Sequence, residues 1–230
     1  MSQIHNELKK EFQLERLVLF SDAVFAIAIT LLVLEIKIPE LERDQISDAA
    51  LLSALRHLIP KFLGFIVSFL MIGLYWSIHH RMFGFVTSYD GRLRFLNLLF
   101  LFFIVLMPFS TGFYSEYAGS ELFEKQLKVP MTFYVMNFAV AGLVNYMMWR
   151  YITNPKRTLA HPPIDALVAK QAKARALLVP CIFLLMPLVA YLTNVMYAVY
   201  IPMLIPAALR ISKRIILKKN KPIKKSIPAA

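Results

Sequence analysis

The chain alternates long apolar blocks with short polar ones. A helix needs about 20 mostly apolar residues to cross the hydrocarbon core of a bilayer. Blocks of that kind fall at 17–36, 61–79, 93–114, 130–150, 176–192 and 194–210. None alternates with a period of two, and lipid offers backbone polar groups no water, so each block predicts a helix rather than a barrel strand. The stretch 176–209 carries no charge, yet its 34 residues are short for two complete spans. Thr193 and Asn194 are its only plausible turn, and Pro180, Pro187, Pro202 and Pro206 predict kinks that neighbouring helices in a membrane tolerate. The pattern therefore predicts an all-α integral membrane protein with six transmembrane helices.

Composition agrees. A hydrophobic content of 58% and a mean hydropathy of +0.58 exceed what a soluble domain of 230 residues requires. Cys181 is the only cysteine, which excludes an intrachain disulfide and a zinc cage. The first 16 residues are polar and the apolar run after them is too long for a signal-peptide core, so no cleavable signal is expected. The net charge of +12 would suggest nucleic acid in a soluble protein, but here the charges lie between apolar blocks and in the C-terminal tail. With the N-terminus inside and six spans, 20 Lys and Arg fall inside and 6 outside. That bias satisfies the positive-inside rule, whereas five spans would put the tail charges outside. The expectation is a multi-pass protein with both termini cytoplasmic. A membrane domain occupies 1–210, and a disordered, lipid-facing polybasic tail occupies 211–230, including Lys218, Lys219, Lys221, Lys224 and Lys225. No nucleic-acid partner is expected.

The first block holds the most informative chemistry: Arg16, then Phe20-Ser21-Asp22, then an apolar run to Leu34. An aspartate inside a membrane helix costs about 2.5–3.5 kcal/mol at mid-span and less near the interface. Asp22 therefore needs a partner and a protein or water environment. Two readings stand side by side: an ion or proton path, and a hydrogen-bond cluster that locks helices together. At 3.6 residues per turn, Ile27, Leu31 and Leu34 lie within about 60° of one another, Thr30 borders them, and Asp22 lies about 140° from Ile27. An apolar stripe of this kind usually marks lipid or core contact. Ala23, Ala26 and Ala28 permit close helix approach. Trp76 and His79 near the end of the second block, and Asn97 near the start of the third, fall at the same membrane face as Asp22 and can hydrogen-bond with it.

An intramembrane hydrolase built on Ser21, Asp22 and His79 is disfavoured, because adjacent helical residues point about 100° apart. No Gly-x-Ser-x-Gly, His-Glu-x-x-His or phosphate loop is present, so no enzyme activity is expected. A proton channel or proton-coupled transporter using Asp22 and His79 stays open, since histidine titrates near physiological pH.

Arg16-x-x-x-Phe20-Ser21-Asp22 with the following Ala-Val-Phe-Ala-Ile-Ala-Ile-Thr resembles the endosomal/lysosomal potassium channel family (transmembrane protein 175), in its prokaryotic single-unit form. Trp76-x-x-His79-x-Arg81-x-Phe83, Asn97 and Pro108-Phe109 are similar to later segments of that family. The resemblance covers 16–110. It implies a six-helix unit that assembles as a homotetramer in the plasma membrane of a prokaryote, with the first helix of each subunit lining a central pore. It also implies a potassium-permeable, leak-type channel with an apolar constriction at Ile27, Leu31 and Leu34, five, nine and twelve residues after Asp22. Thr30 matches the position associated with cation selectivity. Arg16, Phe20, Ser21, Asp22, Trp76, His79 and Asn97 then form a motif and helix-packing network. No Thr-Val-Gly-Tyr-Gly filter occurs, so weak-to-moderate preference for K+ over Na+ is expected. No cofactor or bound metal is implied beyond permeant K+ and other monovalent cations. The acids Glu40, Glu42, Asp44 and Asp48, with Glu116, Glu121 and Glu124, either concentrate cations at the outer mouth or simply solvate loops.

Overall fold

In a computed structural model of the chain, residues 10–117 and 124–219 are described. Six helices among them are long and apolar enough to cross a membrane: Phe12–Glu35, Ile59–Phe83, Gly91–Glu116, Val129–Ile152, Ala166–Leu192 and Val195–Lys218. The first joins α1 (Lys10–Leu31) to a 3-10 turn, Leu32–Glu35. A short α2 (Asp48–His57) leads into α3 (Ile59–Phe83). The third span divides into α4 (Gly91–Val105) and α5 (Met107–Glu116), the fourth is α6 (Val129–Ile152) and the fifth is α7 (Ala166–Leu192). The sixth is built from α8 (Val195–Ala198), a 3-10 turn (Ile201–Met203) and α9 (Leu204–Lys219).

The breaks follow from the residues. Pro108 has no N–H for the ladder, and the helix gives way at Leu106 between α4 and α5. Pro60 and Pro130 stand in the first turns of α3 and α6, where a missing N–H is harmless. Asp90, Asp165 and Asn194 cap α4, α7 and α8 by accepting backbone N–H bonds. The expected turn at Thr193-Asn194 is where α7 ends.

The largest departures from the hydropathy reading lie at the fifth and sixth spans. The fifth span begins at Ala166 rather than 176, so Lys170, Lys173 and Arg175 belong to its first turns. Its 27 residues make a helix about 40 Å long against a hydrocarbon core of about 30 Å, so a basic end projects into the headgroups. The start of the tail at 211 falls inside α9, which stays helical to Lys219; the rest of that tail, 220–230, lies outside the described residues. Hydropathy misses both ends because long basic side chains bury their stems and keep only the charge in water.

Helix α6 is the most buried span and packs most extensively along α7, while α1 rests on α3 and α4. Phe100, Phe138, Ile72, Leu93, Ile104 and Leu32 fill the centre with no exposure at all or almost none.

Candidate ion pathway and its polar supports

Helix α1 and the 3-10 turn that continues it have two faces. Ser21, Phe25, Ala28 and Leu32 recur at helical spacing and are buried against the bundle. On the other side Leu19, Phe20, Ile27, Leu31 and Leu34 are exposed, Ile27 at 58% and Leu34 at 69%. Ala23 and Ala26 are exposed between them. Thr30 also faces outward, and its hydroxyl lies 2.8 Å from Ile27 O and 3.0 Å from Ala26 O. Its single proton is thus given to carbonyls of its own helix, which leaves the oxygen lone pairs free to accept. The outer face is a branched apolar stripe interrupted by one outward-facing oxygen.

The polar supports divide into two. Trp76 Nε1 donates to Asp22 Oδ1 at 2.9 Å, at the edge where α1 meets α3. A hydrogen bond to a charged group contributes about 1.5–3 kcal/mol, the same order as the cost of placing the carboxylate in the span. Deeper in the bundle, Ser21 Oγ donates to Leu17 O (2.8 Å) and accepts from Asn97 Nδ2 (2.9 Å). Asn97 Oδ1 in turn accepts from His79 Nε2 at 2.8 Å, since an amide oxygen can only accept, and this places the histidine proton on Nε2. His79 is fully buried among Phe25, Phe83 and Phe100, and its Nδ1 has no partner among the described residues.

The structure therefore brings Ser21, Asn97 and His79 into one chain and Asp22 and Trp76 into a separate pair. Arg16 and Phe20 stand outside both. Phe20 is half exposed, and the Arg16 guanidinium lies over the Phe12 ring at 5.9 Å. The split follows from geometry: successive residues of a helix point about 100° apart, so Ser21 faces the core while Asp22 faces its rim.

Two further polar joints escaped the sequence reading. Thr111 Oγ1 lies 2.8 Å from Ser68 Oγ, which lies 3.0 Å from Tyr134 OH, linking α5, α3 and α6 inside the bundle. At the basic end Asp90 Oδ1 accepts from Leu93 N, and Oδ2 accepts from Tyr151 OH. The Arg92 and Arg157 guanidinium groups lie over the Tyr151 ring at 5.5 and 5.0 Å. The partners in each joint come from different helices far apart in the chain, so no local spacing marks the joint. Among the described residues no cluster of His, Cys, Asp and Glu has the makings of a metal site.

Six membrane-length helices, joined by polar contacts inside the bundle and with apolar side chains exposed on their outer faces, define a multi-pass membrane protein. Residues 16–108 match the family described as endosomal/lysosomal potassium channel TMEM175. The chain is 35% identical over 156 residues to a potassium channel of Streptomyces collinus, covering 68% of this chain and 72% of that one. The crystal structure of a lysosomal potassium-selective channel TMEM175 homolog from Chamaesiphon minutus superposes with a TM-score of 0.68 at 27% identity, over 91% of this chain and 99% of the other. The chicken protein named endosomal/lysosomal proton channel TMEM175 is 32% identical over 67% of this chain, which spans 31% of that longer protein. The chain belongs to the TMEM175 family of ion channels.

Proposed function

We propose that the protein is a potassium-permeable cation channel, assembled as a homotetramer in which four α1 helices line one axial pore. The observation that carries this reading is the outward stripe of α1: Ile27, Leu31 and Leu34 stay exposed while the opposite face is buried. A monomer leaves that stripe without protein contacts, and four copies around an axis cover it. Ile27, Leu31 and Leu34 then form a narrow apolar neck that gates by dewetting. Thr30 sits within the neck with its lone pairs outward and replaces part of an ion's hydration. Without a ring of backbone carbonyls, preference for K+ over Na+ is weak to moderate. Ser21, Asp22, Trp76, His79 and Asn97 hold α1 at its angle to the bundle and do not line the neck. The charge bias supports an orientation with both ends of the chain in the cytoplasm of a prokaryotic cell, where the basic end of α9 emerges from the channel body. The name of the Streptomyces relative supports K+ as the permeant ion. A bi-ionic K+/Na+ reversal potential on purified protein in a planar bilayer tests the reading. A potential shifted modestly toward K+ supports it, and absence of any cation current contradicts it.

One observation favours a second reading, a proton pathway. His79 is buried with Nδ1 unpartnered, and vertebrate relatives carry the name proton channel. Proton flux into proteoliposomes free of K+ and Na+ separates the two. Flux lost in His79→Gln while the K+ current persists would favour the proton reading for this residue.

A further inference from the structure

Away from α1, the helices α3, α6, α7 and α9 enclose a cavity of about 370 Å3 at the basic end of the bundle. Its mouth carries Arg81, Arg175, Arg210 and Lys213, one or two from each of three helices. All four are exposed, no carboxylate lines the cavity, and none of the four has an ion pair among the described residues. Four uncompensated cations at one opening draw a polyanionic or phosphate group. Behind them the walls are apolar, formed by Leu74, Ile78, Val179 and Pro180. Asn145 interrupts the apolar lining: it is 2% exposed, and its Oδ1 has no partner among the described residues. An occupant must bring negative charge to the mouth, a hydrocarbon portion to the walls and a hydrogen-bond donor to Asn145.

We infer that this cavity is a binding site for an anionic phospholipid with a hydroxyl-bearing headgroup, entering from the leaflet that the orientation proposed above makes cytoplasmic. The phosphate sits among Arg175, Arg210 and Lys213, the headgroup hydroxyl donates to Asn145, and an acyl chain runs along Leu74, Ile78 and Val179. A free inorganic anion has no use for the apolar walls, and a neutral lipid has no use for the cations. The site draws on α9, which is thereby held against α7 and α3. It includes no residue of α1, so lipid occupancy steadies the outer part of the subunit rather than the proposed pore face.

The test is thermal unfolding of the full-length protein in detergent, titrated separately with phosphatidylglycerol, phosphatidylcholine of the same chains, and inorganic phosphate. Phosphatidylglycerol raises Tm saturably, and the other two leave it in place. The Arg210→Gln/Lys213→Gln variant weakens the phosphatidylglycerol midpoint about 30-fold, from about one kcal/mol per basic side chain near a membrane surface. Lys221→Gln/Lys224→Gln/Lys225→Gln in the tail leaves the midpoint unchanged. Ala172→Phe, which keeps every charge and fills the apolar part, also loses the response. Equal shifts with phosphatidylcholine overturn the proposal. So does an equal shift with inorganic phosphate, which assigns a free-anion site. Full retention of the response in Ala172→Phe, or equal loss in the tail variant, overturns it by locating binding on the general basic surface.

Discussion

The Trp76 indole donates to the Asp22 carboxylate at 2.9 Å, joining α3 to α1 at the rim of the bundle. The carboxylate is expensive in a membrane helix, and this bond points it along the bundle surface toward α3. Asp22→Ala and Trp76→Phe each remove the joint. Both are expected to lower the yield of assembled oligomer on size-exclusion chromatography while leaving the ion preference of the remaining channels unchanged. Normal assembly with altered K+/Na+ preference would make Asp22 part of the ion path.

The buried chain Ser21–Asn97–His79 predicts a different effect. Asn97→Ala leaves the His79 Nε2 proton without its acceptor inside an aromatic cage. Stranding a buried donor costs about 1–3 kcal/mol. Thermal unfolding in detergent should therefore fall by several degrees in Asn97→Ala, and less in Ser21→Ala, which removes only the more distant hydroxyl. An unchanged Tm in Asn97→Ala would mean the histidine finds another partner.

Much of this was legible in the sequence, and the part that was not has a clear cause. The cost of Asp22 in an apolar run announced a partner, and Trp76, His79 and Asn97 were the side chains able to reach that membrane face. Their pairing was not legible. Ser21, rather than Asp22, meets Asn97, because the rotation of α1 about its own axis is set by tertiary packing of Phe25, Ala28 and Leu32. The Ser68–Thr111–Tyr134 joint and the Asp90–Tyr151 joint bring together residues far apart in the chain with no local pattern. Span ends were misplaced where lysines and arginines ride on helices, since a hydropathy window cannot see that only their tips need water.

Asp90 carries a pH prediction. Partial burial pushes its carboxyl up, but the Tyr151 hydroxyl, the Leu93 amide and the nearby Arg157 outweigh this and hold the pKa below its usual value. A depressed pKa means stability that is present above the unfolded value, near 3.9, and lost as pH falls through the folded one. Asp90→Asn keeps a capping oxygen and removes the charge. The variant should melt below the wild type at pH 7, and the gap should close as pH falls below about 4. A gap independent of pH would assign the effect to something other than the charge.

The apolar neck proposed for α1 predicts a gain of function. Ile27→Asn places an amide on the exposed face of α1 and would wet the proposed constriction, so single-channel conductance should rise several-fold. Unchanged conductance with normal assembly would remove Ile27 from the narrow part.

Ile27 and Leu70 are both largely exposed in the single chain, at 58% and 65%. One lies on α1 and the other on α3, and only the proposed assembly gives them different surroundings. In a Cys181→Ser background, Ile27→Cys and Leu70→Cys can each be challenged with a water-soluble methanethiosulfonate cation while K+ current is recorded across a planar bilayer. A water-filled path along α1 predicts rapid block of the Ile27→Cys channel and none of the Leu70→Cys channel. Equal behaviour of the two, or a current indifferent to modification at Ile27, would contradict the assignment of the α1 stripe to the ion pathway.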